Sequence, residues 1–162
     1  PLARSLVPSV PSAGAIVLRS FGKLYGLAGL RLGFAVAPLE LASLIRRALG
    51  PWAVSGAAVE IGHRALADAR WRRGAIARLA ADTVRLDGLL EKAGFAIVGG
   101  TSLFRLARHR LSTAWFERLG EAGILVRPFR GRPDLLRFGL PGTQADWQRL
   151  EAALRSKSAR EP

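Results

Sequence analysis

Apolar and polar positions along this chain follow two different periods, and the change from one to the other marks out the elements. Ala15-Ile16-Val17-Leu18-Arg19 is a short β-prone run, and residues 31–37 form a second strand stopped by Pro38. Between them lies a glycine-punctuated stretch, residues 22–33. Pro38 followed by Leu39, Leu41, Leu44, Ile45 and Leu49 predicts a helix closed by Gly50. Residues 51–67 read as another helix. Residues 70–93 read as a long one with Ile76, Leu79, Ala80, Val84, Leu86 and Leu90 on its buried stripe and Gly94 at its end. The pattern then shortens. Residues 95–98 and 102–107 predict strands around a Gly-Gly-Thr turn, and Ser112 is the expected N-cap of a helix reaching residue 121. Short strands at residues 124–127 and 135–139 precede a last helix capped by Thr143, with Asp146 in its first turn. The proline-rich opening, residues 1–14, and the polar tail, residues 156–162, carry no periodicity.

This order predicts an α/β protein with a division near residue 93. Residues 1–93 would form an α/β part with a connecting helix, and residues 94–162 a small α+β domain. At 162 residues the chain is long enough for one good core or two small ones.

Composition narrows the picture further. Apolar residues make up 49% and charged residues 23%, which suits a folded globular chain. The absence of cysteine excludes disulfides and thiolate metal sites and suits a cytoplasmic setting. No segment reaches the roughly 18 uninterrupted apolar residues of a membrane span, so no membrane partner is expected. With 25 basic against 12 acidic residues the formal charge is +13, which attracts polyanions non-specifically. A polyanion-binding module is therefore one alternative. No zinc-finger, RNP or helix-turn-helix pattern accompanies the charge, so no specific nucleic-acid partner is expected.

The informative segment is Ser20-Phe21-Gly22-Lys23-Leu24-Tyr25-Gly26-Leu27-Ala28-Gly29-Leu30-Arg31-Leu32-Gly33. It lies between two predicted strands, at the end of a sheet where α/β proteins place ligands. A hydroxyl three residues before Lys23 and a guanidinium eight residues after it can meet on one phosphate. An apolar setting among Leu24, Leu27, Leu30 and Phe34 would disfavour the ammonium form of Lys23 and make its amine a nucleophile toward an aldehyde. Other constellations are weaker. His63 and His109 stand without metal-ligand partners, Ser20 has no activating histidine, and no Walker lysine-serine ending is present. Trp52, Trp71, Trp115 and Trp147 read as core or boundary residues. Arg130 and Arg132 read as exposed loop arginines that could also meet a substrate phosphate.

The segment resembles the lysine signature of the fold-type I pyridoxal-phosphate enzymes, the class I/II aminotransferase superfamily. That resemblance implies pyridoxal 5'-phosphate as cofactor, attached to Lys23 and held through its phosphate by Ser20 and Arg31. Gly123-Ile124-Leu125-Val126-Arg127-Pro128-Phe129 and Leu136-Arg137-Phe138-Gly139 resemble the small-domain motifs of the histidinol-phosphate aminotransferase branch. There Arg137 would bind the substrate carboxylate and Arg127 would lie near the substrate. Gly50-Pro51-Trp52-Ala53-Val54-Ser55-Gly56, Gly100-Thr101-Ser102-Leu103-Phe104-Arg105-Leu106 and the run from Leu136 to Gly142 are similar to the threonine-phosphate decarboxylase type of the cobalamin pathway.

The resemblance thus implies an enzyme acting on a small phosphorylated amino acid, L-threonine-O-3-phosphate with loss of carbon dioxide, or histidinol phosphate by transamination. It also implies a homodimer. None of the residues before Lys23 is Asp, Glu or Asn, whereas the family places an acid and an asparagine on the cofactor ring upstream of the lysine. The chain is accordingly expected to be the C-terminal part of such a fold, a remnant of the large parallel-sheet domain plus the small domain. By itself it is expected to be inactive. A non-catalytic remnant is the remaining alternative.

Overall fold

The computed structural model describes residues 5–10 and 14–155. The expectations for the tail and for part of the proline-rich opening lie outside these residues. The chain divides into two compact units, Pro1–Arg73 and Gly74–Pro162. The division falls inside the long helix, whereas the sequence reading placed it near residue 93.

In the first unit, β1 (Val17–Ser20) and β2 (Gly33–Val36) pair antiparallel, with Ser20 opposite Gly33 at the end of the ladder. Helix α1 (Leu39–Leu49) starts after Pro38 and stops at Gly50, as its apolar spacing predicts. The next helix, α2 (Gly56–Ala67), begins later than predicted. Ser55 is its N-cap, accepting a hydrogen bond from the Ala58 N–H at 3.2 Å, so residues 51–55 form the turn before it. Much apolar surface stays open in this unit: Leu18 is 78% exposed and Leu39 83%. Trp52, read from sequence as a core or boundary residue, lies exposed.

Helix α3 (Ala69–Lys92) begins where the Asp68 carboxylate accepts the Trp71 N–H at 2.8 Å. Its buried positions are Ala75, Thr83, Leu86 and Leu90, while Ile76 and Val84 face solvent. The stripe is thus rotated from the predicted one. Thr83 lies buried at a helical position because its hydroxyl donates to the Leu79 carbonyl.

The second unit is a four-stranded antiparallel sheet, ordered β3-β4-β6-β5, with helices against one face. Its strands are β3 (Ala96–Thr101), β4 (Phe104–Arg108), β5 (Arg127–Phe129) and β6 (Arg132–Gly139). Helix α4 (Ser112–Glu121) lies between β4 and β5, and α5 (Gln144–Arg155) follows β6. Leu86 and Leu90 from α3, Leu119 from α4 and Trp147, Leu150 and Leu154 from α5 close over Ala107, Leu136 and Phe138 of the sheet. Each buried side chain of this size contributes about 1.5–3 kcal/mol, which makes this layer the unit's main source of stability.

Thr143 caps α5 as predicted: its hydroxyl accepts the Asp146 N–H at 3.2 Å and the Asp146 carboxylate accepts the Thr143 N–H at 3.1 Å. The same hydroxyl donates to the Asp146 carboxylate at 2.7 Å, and this contact holds the carboxyl below its ordinary range. Ser112 departs from its expected role. It is buried, and its hydroxyl donates to the carbonyls of His109 and Asp134, while His109 Nδ1 accepts the Leu111 N–H at 3.0 Å.

The Gly-Gly-Thr turn is also corrected. Gly99, Gly100 and Thr101 belong to β3, and the hairpin turns at Ser102 and Leu103, with Thr101 opposite Phe104. Gly100 has φ 153°, and a Cβ there would stand 3.1 Å from the Arg105 Cα and collide with the Phe104 carbonyl. Gly100→Ala is expected to cost about 2 kcal/mol in urea unfolding of the second unit. An unchanged midpoint would show that the hairpin relaxes around the added methyl.

Candidate functional site

Two groups of residues carry chemistry, one in each unit. In the first unit, residues 21–32 form a loop clamped at its base by the β1–β2 ladder. The Phe21 N–H donates to the Leu32 carbonyl at 3.3 Å, directly beyond the Ser20–Gly33 pair. The loop is folded on itself: Gly26 N–H donates to the Lys23 carbonyl at 3.1 Å and Leu27 N–H to the Phe21 carbonyl at 2.9 Å. A 3-10 turn, Ala28–Leu30, then leads into Arg31.

Ser20, Lys23 and Arg31, singled out in sequence, therefore sit on one closed loop, and all are exposed. The Ser20 hydroxyl accepts the Gly22 N–H at 3.1 Å. Arg31 has φ 54°, a left-handed conformation that non-glycine residues adopt rarely and at some cost. Its guanidinium donates to the Ala28 carbonyl at 3.2 Å, which folds the side chain back over the turn. Backbone strain of this kind collects at ligand sites. The expected enclosure of Lys23 is not found. Lys23 is exposed and Phe34 is 45% exposed, because the packing of this loop buries Phe21 in place of the lysine.

In the second unit, Arg127 and Arg137 are directly opposite one another in the β5–β6 ladder. Opposed residues share a face, and neighbouring Leu136 and Phe138 point into the core. Both arginines thus lie on the sheet face away from the core, beside Leu106, which pairs with Arg137 from the other side. The Arg137 guanidinium stands 5.2 Å from the Phe104 ring centre and that of Arg127 5.7 Å from the Phe129 ring. Among the described residues neither has a carboxylate partner. Like charges in direct opposition destabilise a ladder, so this pair costs the sheet stability.

The remaining loop arginines differ in their surroundings. Arg132 pairs with Asp134 at 3.1 Å, and this hydrogen bond holds the Asp134 carboxyl below its ordinary range. Arg130 is exposed. His109 packs against Phe95 and Trp115, where burial, reinforced by Arg110, lowers its pKa. Sequence reasoning missed two contacts. Arg105 forms a two-pronged ion pair with Asp87 of α3 at 2.7 and 2.9 Å, and Tyr25 stacks on Trp71. Both join residues distant in sequence, so no local spacing announces them.

The family model for aminotransferase class I and II matches residues 3–154. The chain belongs to the class I and II aminotransferase family. Within this family it is 43% identical over 141 residues to the threonine-phosphate decarboxylase of Pseudomonas aeruginosa, covering 87% of this chain and 42% of that protein. It is 34% identical to histidinol-phosphate aminotransferase 2 of Methylococcus capsulatus, covering 87% of this chain and 38% of that protein. The chain thus spans about two fifths of the length of these relatives. Its fold matches the structure of histidinol-phosphate aminotransferase from Sinorhizobium meliloti in complex with pyridoxal-5'-phosphate, with a TM-score of 0.80 and 21% identity. That match covers 91% of this chain and 42% of the other. Among the described residues no helix is long and apolar enough to cross a membrane.

Proposed function

We propose that this chain is the C-terminal portion of a pyridoxal-phosphate enzyme that decarboxylates L-threonine-O-3-phosphate, working as a homodimer. Two fifths coverage of the decarboxylase supports the first part of this reading, and its identity supports the second. The observation that carries the substrate class is the direct opposition of Arg127 and Arg137 on an open sheet face. Two adjacent guanidiniums without carboxylate partners suit a small molecule bearing both a carboxylate and a phosphate.

The loop residues fit the cofactor. A hydroxyl, an exposed amine and a guanidinium held in a strained turn form a donor set for a phosphate-bearing aldehyde. Ser20 and Arg31 would hold the phosphate, and the Lys23 amine would bond to the aldehyde carbon. When bound, pyridoxal phosphate supplies an electron sink for charge developing at the substrate Cα. Arg137 holds the substrate carboxylate and Arg127 the phosphate. Lys23 Nζ would also hold or move the proton at the substrate Cα. Decarboxylation requires Nζ to deliver a proton there after carbon dioxide leaves, whereas transamination requires it to remove one first.

Lys23 is exposed in this chain, so its reactivity as proposed rests on surroundings beyond these residues. The test is to express this chain within its complete polypeptide, load it with pyridoxal phosphate and supply L-threonine-O-3-phosphate. Stoichiometric carbon dioxide without any keto acid is the expected result. Amine exchange that depends on a keto acid, with no gas released, would replace the decarboxylase with a histidinol-phosphate-type aminotransferase.

A further inference from the structure

The Lys23 loop is held from an unexpected direction. Phe21, two residues before the lysine, is 2% exposed and packs near Gly62 of α2, where a Cβ would overlap Leu32 and make only an ordinary contact, 3.8 Å, with the Phe21 ring. Tyr25, two residues after the lysine, lies flat on Phe21, with ring centres 4.8 Å apart and planes 17° apart. Its other face is covered by Trp71, 5.5 Å away and 10° from parallel. Trp71 is itself fixed at the start of α3, where its N–H donates to the Asp68 carboxylate. Phe21, Tyr25 and Trp71 therefore form one continuous stack that grips the loop on both sides of Lys23.

Trp71 is 41% exposed, so burial in a core does not account for its size. What its ring does is close the open face of Tyr25. Without a flat partner there, Tyr25 keeps contact on one side only, and the turn from Lys23 to Gly26 depends on its single hydrogen bond. A lysine that must meet a fixed carbon atom loses rate steeply when its backbone wanders by even an ångström. We infer that Trp71 is a positioning residue for Lys23, acting through the face of Tyr25 and setting where the amine stands. The inference rests on the reading of Lys23 as the cofactor lysine.

Its test uses the complete polypeptide loaded with pyridoxal phosphate. Borohydride treatment and peptide mapping first show whether the wild-type cofactor is attached at Lys23. The pH midpoint of the bound cofactor's visible band then reports the surroundings of the Lys23 nitrogen. Trp71→Leu keeps apolar bulk but removes the flat ring. It is expected to leave the label on Lys23 while moving that midpoint by about half a pH unit, the scale of one aromatic contact. Trp71→Phe is expected to restore the wild-type midpoint. If Trp71→Leu does not fold, Tyr25→Leu interrupts the same stack from the loop side and should move the midpoint in the same way. A wild-type midpoint in a folded Leu variant, with the label on Lys23, would overturn the role of Trp71 and leave the proposed function standing. Absence of the label from Lys23 in the wild type would remove both.

Discussion

Replacing Lys23 by alanine in the complete, cofactor-loaded protein is expected to lower kcat/KM by on the order of 10⁴-fold, because one amine serves as both attachment point and proton carrier. Some cofactor should still bind, since Ser20 and Arg31 are untouched. Borohydride treatment of the unaltered protein should place a pyridoxyl group on the peptide containing Lys23 and on no other. The chain has two further lysines for comparison. Lys92 is exposed at the end of α3, and Lys157 lies outside the described residues. Lys92 stands on a helix and not on a closed loop between a hydroxyl and a guanidinium. A label recovered on Lys92 or Lys157 would contradict the assignment whatever the activity.

Arg137→Ala should reduce kcat/KM by roughly a hundred-fold, or about 3 kcal/mol, the scale for losing one partner of a desolvated charge pair. Arg137→Lys should recover only part of the loss, because an ammonium cannot offer the planar two-pronged contact. Stability separates this role from a structural one. Removing either member of the Arg127–Arg137 opposition relieves like-charge repulsion in the ladder, so the urea midpoint should hold or rise. If Arg137→Ala retains kcat/KM within a factor of about two, the carboxylate contact lies elsewhere. A lowered midpoint would mean that the guanidinium's place over Phe104 matters more to folding than to substrate.

The Lys23 loop was legible because its candidate residues are local. Ser20, Lys23 and Arg31 lie within one short segment, and the flanking β-prone runs announce the ladder that closes it. Helices α1 and α5 were legible for a similar reason: Pro38, Gly50 and Thr143 state their own boundaries through backbone geometry and side-chain caps. The rotated stripe of α3 was not. Leu86 and Leu90 are buried as predicted, but Ile76 and Val84 are as apolar as they are, and only the position of the sheet beneath selects Thr83 in their place.

Strand partners were likewise beyond the sequence. The alternation of Leu136, Arg137 and Phe138 states which side chains face the core, but only the pairing of β5 with β6 sets Arg127 opposite Arg137. The exposure of Lys23 and the stacking of Trp71 on Tyr25 depend on how a loop lies against helices far along the chain. Sequence by itself singled out the candidate groups and determined where most helices stop, since those rest on covalent identity and short-range backbone preference. Only tertiary structure decided which face each group occupies and what holds it there, since packing and strand pairing join residues whose separation leaves no periodic trace.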